Sequence, residues 1–132
     1  MIALDTNVVV RFLVQDDIEQ GQAAARLIET CTETSPGFIG REVMVEIVWV
    51  LQRAYKLPRE QVAAALDGLL GAQEIVVEQA DRVARAVHRY REEGYDFADL
   101  MIVAAALSAE CKALYTFDRK AARIDGVSEV KL

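Results

Sequence analysis

Four carboxylates, Asp5, Glu46, Asp99 and Asp118, each stand beside an apolar run. Ile2-Ala3-Leu4 leads into Asp5, Val43 to Leu51 surrounds Glu46, Leu100-Met-Ile-Val follows Asp99, and Leu114-Tyr-Thr precedes Asp118. A carboxylate in core-like sequence is costly to desolvate, and several together repel one another, so the outcomes are a raised pKa or a bound cation. Oxygen-only ligands select hard divalent ions, here magnesium with manganese as the alternative. The expected chemistry is a metal cage.

Each acid also has a plainer job to weigh. Asp5 can cap the turn after a strand, Asp118 can form such a turn, and Asp99 can offset the dipole in a first helical turn. Glu46 resists these explanations, because Val43, Ile47, Val48, Val50 and Leu51 leave its helix little surface open to water. Glu42, one turn earlier and about 40° around the helix, is read as a surface or supporting residue. Asp96 and Asp99 lie about 60° apart on a helix and can face one cleft, Asp96 being read first as an N-cap.

Delivering acids from such distant positions needs a scaffold, and the apolar pattern describes one. Short strands are expected at residues 1–4, 38–39, 74–78, 113–116 and 127–132, with a brief helical turn after the first. Helices are expected from residue 16 or 17 to 31, over 41–55, from Arg59 to about Leu70 after Pro58, over 80–93 closed by Gly94, and over 97–111 capped by Asp96, with a short helical turn at 119–123. Parallel strands need crossover helices on both sheet faces. The alternation therefore predicts an α/β fold, a three-layer α/β/α sandwich with a mainly parallel central sheet. In such sheets ligands bind beyond the carboxyl ends of the strands, where Asp5 and Asp118 fall.

The chain has 132 residues, 53% of them hydrophobic, and only two prolines, which suits a single domain over residues 1–132. Its apolar runs fall short of the roughly 20 residues of a membrane span, and no basic-then-apolar leader opens the chain, so a cytoplasmic location is expected. Cys31 and Cys111 have no CxxC spacing and read as buried reduced thiols. A net charge of −6 and a pI near 4.8 argue against holding nucleic acid by bulk positive potential. That objection weakens where a metal neutralises the local cluster of acids. Arg82, Arg85, Arg89 and Arg91, and separately Arg53, Lys56 and Arg59, read as solvated helix faces. His88, the only histidine, falls in the arginine-rich helix and reads as a surface or phosphate-contact residue. Trp49 reads as core, and Tyr90 and Tyr95 as helix packing.

The ordered segments LDTN, VEIVWVL, DFADLMIVAAA and LYTFDRK, spread over nearly the whole length, resemble a PIN domain of the VapC toxin type. In that resemblance Asp5, Glu46, Asp99 and Asp118 match the family's four acids, with Thr6, Asn7 and Thr116 as polar helpers; Asp96, from its place beside Asp99, is read as a supporting residue. The resemblance implies a metal-dependent endoribonuclease, commonly a homodimer, that cuts RNA and is inhibited by a cognate antitoxin protein. Asp5, Asp99 and Asp118 would then hold the metal directly or through water, while Glu46 completes the shell or orients the water. Thr116 or Asn7 would bind a ligand carboxylate, a water or a phosphate oxygen.

Two other enzyme classes fit less well. A phosphotransferase using Asp5 as covalent nucleophile wants a second Asp two positions on, where Asn7 stands, and a phosphate-accepting receiver domain places its acids on different strands. A non-enzymatic alternative is a catalytically weak PIN-like module that binds a basic protein segment, which the acidic pI suits.

Overall fold

Three of the helix starts in this chain, those after Asp5, Asp17 and Asp96, follow from local side-chain chemistry. Asp17 caps one helix by accepting the Gln20 N–H at 2.9 Å, and Asp96 caps another by accepting the Asp99 N–H at 3.1 Å. Each satisfies a donor that the first helical turn leaves unpaired. The computed structural model, which describes residues 1–132, contains six α-helices. These are α1 (Thr6–Val14), α2 (Ile18–Glu29), α3 (Arg41–Arg53), α4 (Arg59–Gly71), α5 (Ala80–Glu93) and α6 (Phe97–Ser108). Five strands alternate with them: β1 (Ile2–Ala3), β2 (Gly37–Ile39), β3 (Ile75–Val77), β4 (Leu114–Thr116) and β5 (Val127–Glu129). A 3₁₀ turn covers Ala121–Arg123.

Every strand pairing is parallel, as the alternation of elements requires. β2 lies between β1 and β3, with Gly37 opposite both Ile2 and Ile75, while β4 pairs with β5 through Leu114 and Val127. The α/β architecture is the one expected from sequence. Its ladder, however, falls into a three-stranded and a two-stranded sheet. Strands of two or three residues carry few ladder bonds, so helix packing does more of the holding than an unbroken central sheet would. β5 is entered through Gly126 at φ +91°, where a Cβ would also stand 3.2 Å from Leu107 Cδ2. Only glycine is free of both penalties there.

One apolar core runs between the helices and the three-stranded sheet. Val9, Ile39, Met44, Ile47, Leu66, Val83 and Phe97 are among the side chains fully removed from solvent. Burial of a large apolar side chain contributes about 1.5–3 kcal/mol. Tyr90 is likewise fully buried and meets Phe97 edge to face at 6.1 Å, as helix packing predicts. Arg59 is not a solvated cation. Its guanidinium lies 4.1 Å over the Tyr90 ring, and Nη1 donates to the carbonyls of Tyr90 at 2.9 Å and Tyr95 at 2.8 Å. The start of α4 thereby closes the carboxyl end of α5, which stops at Gly94 with φ +76°.

Four expectations are corrected. The turn after β1 is a full helix of nine residues, α1. The helix around Glu46 is not buried all round: Glu42, Glu46, Trp49 and Arg53 form an exposed stripe at four-, three- and four-residue spacing. Trp49 is 58% exposed and is therefore not core. Cys31 is buried as expected, but Cys111, beyond the end of α6, is exposed. In the α3 stripe and at Cys111 the side chains stay exposed, so the apolar composition of the segment did not decide their burial.

Candidate functional site

Asp5 lies two residues beyond the end of β1 and is the N-cap of α1, its Oδ1 accepting the Thr6 N–H at 2.8 Å. The next side chain, Thr6, is buried, and its hydroxyl donates to Glu46 Oε1 on α3. One residue of α1 thus links the strand-end acid to the helix acid, although the two carboxylates are 41 positions apart in sequence. Both face an open crevice of about 390 Å³ between α1 and α3, with Asn7, Arg11, Trp49 and Tyr55 also on its walls. Glu46 itself is exposed, so the expectation that burial drives its chemistry is wrong. Its order comes from Thr6 instead.

A second acidic group gathers at the start of α6. Asp96 Oδ2 is engaged in capping the helix, and Asp99 is half-buried in the first turn. Burial raises the Asp99 carboxyl above the ordinary aspartate value, and the charges of Asp96 and Asp118 push it further the same way. Asp118, though exposed, is fixed by its own loop. Its Oδ1 accepts from the N–H groups of Lys120 at 2.8 Å and Ala121 at 3.0 Å, and its N–H donates to Thr116 Oγ1 at 3.0 Å.

A common pattern runs through the acids. Asp5, Glu46, Asp96 and Asp118 each have one oxygen tied to the protein and the other without a protein donor, and neither Asp99 oxygen accepts a hydrogen bond from the protein. None pairs with a basic side chain. The ion pairs of the molecule join Arg11 to Asp16, Arg41 to Glu78, Arg89 to Glu93, Arg91 to Glu60 and Asp67, and Arg119 to Glu129. Ordered carboxylates with unused oxygen lone pairs and no competing cation suit a hard divalent ion. No three His, Cys, Asp or Glu side chains are close enough to share one ion directly. Asp5 and Glu46 share the α1–α3 crevice and Asp99 feels the charges of Asp96 and Asp118, an arrangement more open than the closed cage expected. Magnesium, which keeps several of its waters, does not require such a cage.

Sequence reasoning passed over Arg11 and Tyr55. Arg11 Nη1 meets Tyr55 OH at 2.6 Å and Asp16 Oδ1 at 3.1 Å, Arg11 Nε donates to Gln20 at 2.7 Å, and Tyr55 OH donates to Asp16 Oδ2 at 2.9 Å. The hydrogen bond from Tyr55 holds the Asp16 carboxyl below its ordinary value; burial opposes this and the Arg11 charge adds to it. The available signal was helical spacing. Arg11 is four residues after Asn7, on the same face of α1.

These features define an α/β protein with acids at the carboxyl ends of β1 and β4 and at the start of α6. Residues 2–127 match the PIN domain, and the chain belongs to that family. It is also 25% identical over 121 residues to a VapC ribonuclease of Aquifex aeolicus (strain VF5), an alignment covering 91% of this chain and 89% of the relative. No helix is long and apolar enough to cross a membrane.

Proposed function

We propose that this chain is a metal-dependent endoribonuclease toxin that hydrolyses RNA phosphodiester bonds and is neutralised by a cognate antitoxin protein. The observation that carries the reading is the set of ordered carboxylates without basic partners, in a PIN domain with a VapC ribonuclease among its relatives. Asp5, Asp99 and Asp118 are the residues to hold magnesium or manganese, with Glu46 beside them. When bound, the ion supplies a more acidic water and relief of charge on the phosphate oxygens. The protein's own part is positioning. Thr6 fixes Glu46 so that Oε2 is the oxygen left to orient or deprotonate a water, and the 3₁₀ turn fixes Asp118 so that Oδ2 faces outward. Asn7 and the Thr116 hydroxyl are hydrogen-bonding groups for a phosphate oxygen, and Asp96 sustains the proton affinity of Asp99.

The proposal includes a homodimer acting in the cytoplasm. Ile102 and Leu107 on α6 and Tyr115 and Phe117 around β4 are between 48% and 68% exposed, more large apolar surface than this part of a monomer needs to show.

The deciding experiment incubates purified protein with total cellular RNA, with and without magnesium or manganese, and maps new ends. Cleavage that needs the ion and is abolished by Asp5→Asn supports the reading. The net charge of −6 favours a second one, a weak PIN module that captures a basic protein segment. Uncut RNA together with a tight antitoxin complex selects it.

A further inference from the structure

The crevice between α1 and α3 contains more than its two acids. Arg11 is the only basic residue on its walls, where Asp5 and Glu46 supply the negative charge. Its guanidinium is held from three sides by Gln20, Asp16 and Tyr55, through Nε and Nη1, while Nη2 has no protein partner. A guanidinium fixed in this way presents its remaining donors at little further entropic cost, and its planar fork matches a phosphate. The same crevice is also lined by Trp49, the only tryptophan of the chain, 58% exposed and one turn beyond Glu46 on the same stripe of α3. An indole left in water on the wall of an acidic crevice contributes little to the core. A flat face beside a fixed cation is the pairing that recognises an unpaired nucleotide.

We propose that this crevice is a nucleotide subsite, in which Arg11 takes a phosphate of the RNA backbone and Trp49 stacks on the adjoining base. The proposal rests on the ribonuclease reading for the identity of its ligand, and it adds where the chain next to the cut bond lies. Asp16 and Tyr55 are positioning residues for Arg11. An RNA duplex, whose bases are stacked on one another, cannot offer a face to Trp49.

Because Trp49 is the sole tryptophan, its fluorescence reports on this crevice alone. The test is rapid mixing of the full chain in magnesium with a single-stranded oligoribonucleotide, following fluorescence and product together, beside an abasic oligomer of equal length and the same sequence as a duplex. The expected result is quenching before product forms with the base-containing single strand, and little with the other two. Trp49→Ala, a change at an exposed position, raises KM about 5- to 100-fold with kcat within about twofold. Arg11→Met flattens the salt dependence of binding by a slope of about 0.7, and Arg11→Lys restores most of it.

Equal quenching by the abasic oligomer, or Trp49→Ala with unchanged KM, overturns the proposal. A crevice that receives a protein segment instead leaves the fluorescence unmoved by any oligonucleotide, and that result also overturns it. Cleavage at normal rates without quenching defeats the subsite and spares the ribonuclease reading. Quenching without any product does the reverse.

Discussion

At Asp99 the cost of function can be measured as stability. A carboxyl whose folded pKa is raised holds its proton more tightly in the folded state than in the unfolded one. Its stabilising contribution is complete below the unfolded value and is lost as pH rises through the folded one, so at neutral pH the ionised group opposes folding. In divalent-free buffer Asp99→Asn is expected to raise Tm, the gain in stability being under about 1 kcal/mol because the group is only half-buried and screened. The same change should lower RNA cleavage by about a hundredfold or more. Magnesium at a hundred times its Kd should stabilise the wild type by about 2.7 kcal/mol and leave the variant nearly unmoved in a thermal melt.

Two neighbours allow finer tests. Asp96→Asn keeps a capping side chain but removes one of the charges that raise Asp99. The acidic limb of the rate profile should therefore move to lower pH, and NMR titration of the Asp99 carboxyl should move with it. Thr6→Val keeps the buried shape and deletes the hydroxyl that holds Glu46. The expected loss in kcat/KM is about 10- to 100-fold, the usual effect of removing a group that orients a ligand. An unchanged kcat/KM would remove Glu46 anchoring from the mechanism.

Among the elements, Arg59 has the largest structural role of any exposed-looking cation. It joins α4 to the carboxyl end of α5 and stacks on Tyr90, whose hydroxyl is raised in pKa chiefly by burial. Arg59→Met should cost about 2–3 kcal/mol in chemical denaturation, because two carbonyls lose a charged donor. Activity of the folded fraction should be unaffected, since Arg59 does not line the α1–α3 crevice. Cleavage lost in step with Asp99→Asn would place Arg59 in the site instead.

For the whole molecule, the exposed apolar side chains of α6 and β4 bear on assembly. Ile102 is 52% exposed on α6, so Ile102→Glu is compatible with the fold. If this face joins two copies, sedimentation should show a dimer for the wild type and a monomer for the variant, with melting of the monomer independent of concentration. A variant that stays dimeric would place the interface elsewhere. The helix starts at Asp17 and Asp96 and the stop at Gly94 could be read from sequence because each rests on contacts a few residues long, and the parallel α/β order followed from the alternation of strand and helix patterns. The acids could be named from residue type beside apolar runs.

The surroundings of those acids could not be read in this way. Val43 to Leu51 is so apolar that composition alone buries Glu46 and Trp49, yet both face the open α1–α3 crevice and meet solvent. Arg11 has no unusual sequence context, and it becomes a fixed cation only because α2 and the end of α3 bring Gln20, Asp16 and Tyr55 around it. The chain by itself determined where the helices and strands lie, the extent of α1 excepted, and which residue types offer oxygen ligands, since backbone preference and side-chain chemistry are local. Tertiary structure decided exposure, the anchoring of Glu46 by Thr6 and the single cation in the crevice with Asp5 and Glu46, because solvent access and charge proximity depend on elements far apart in the chain.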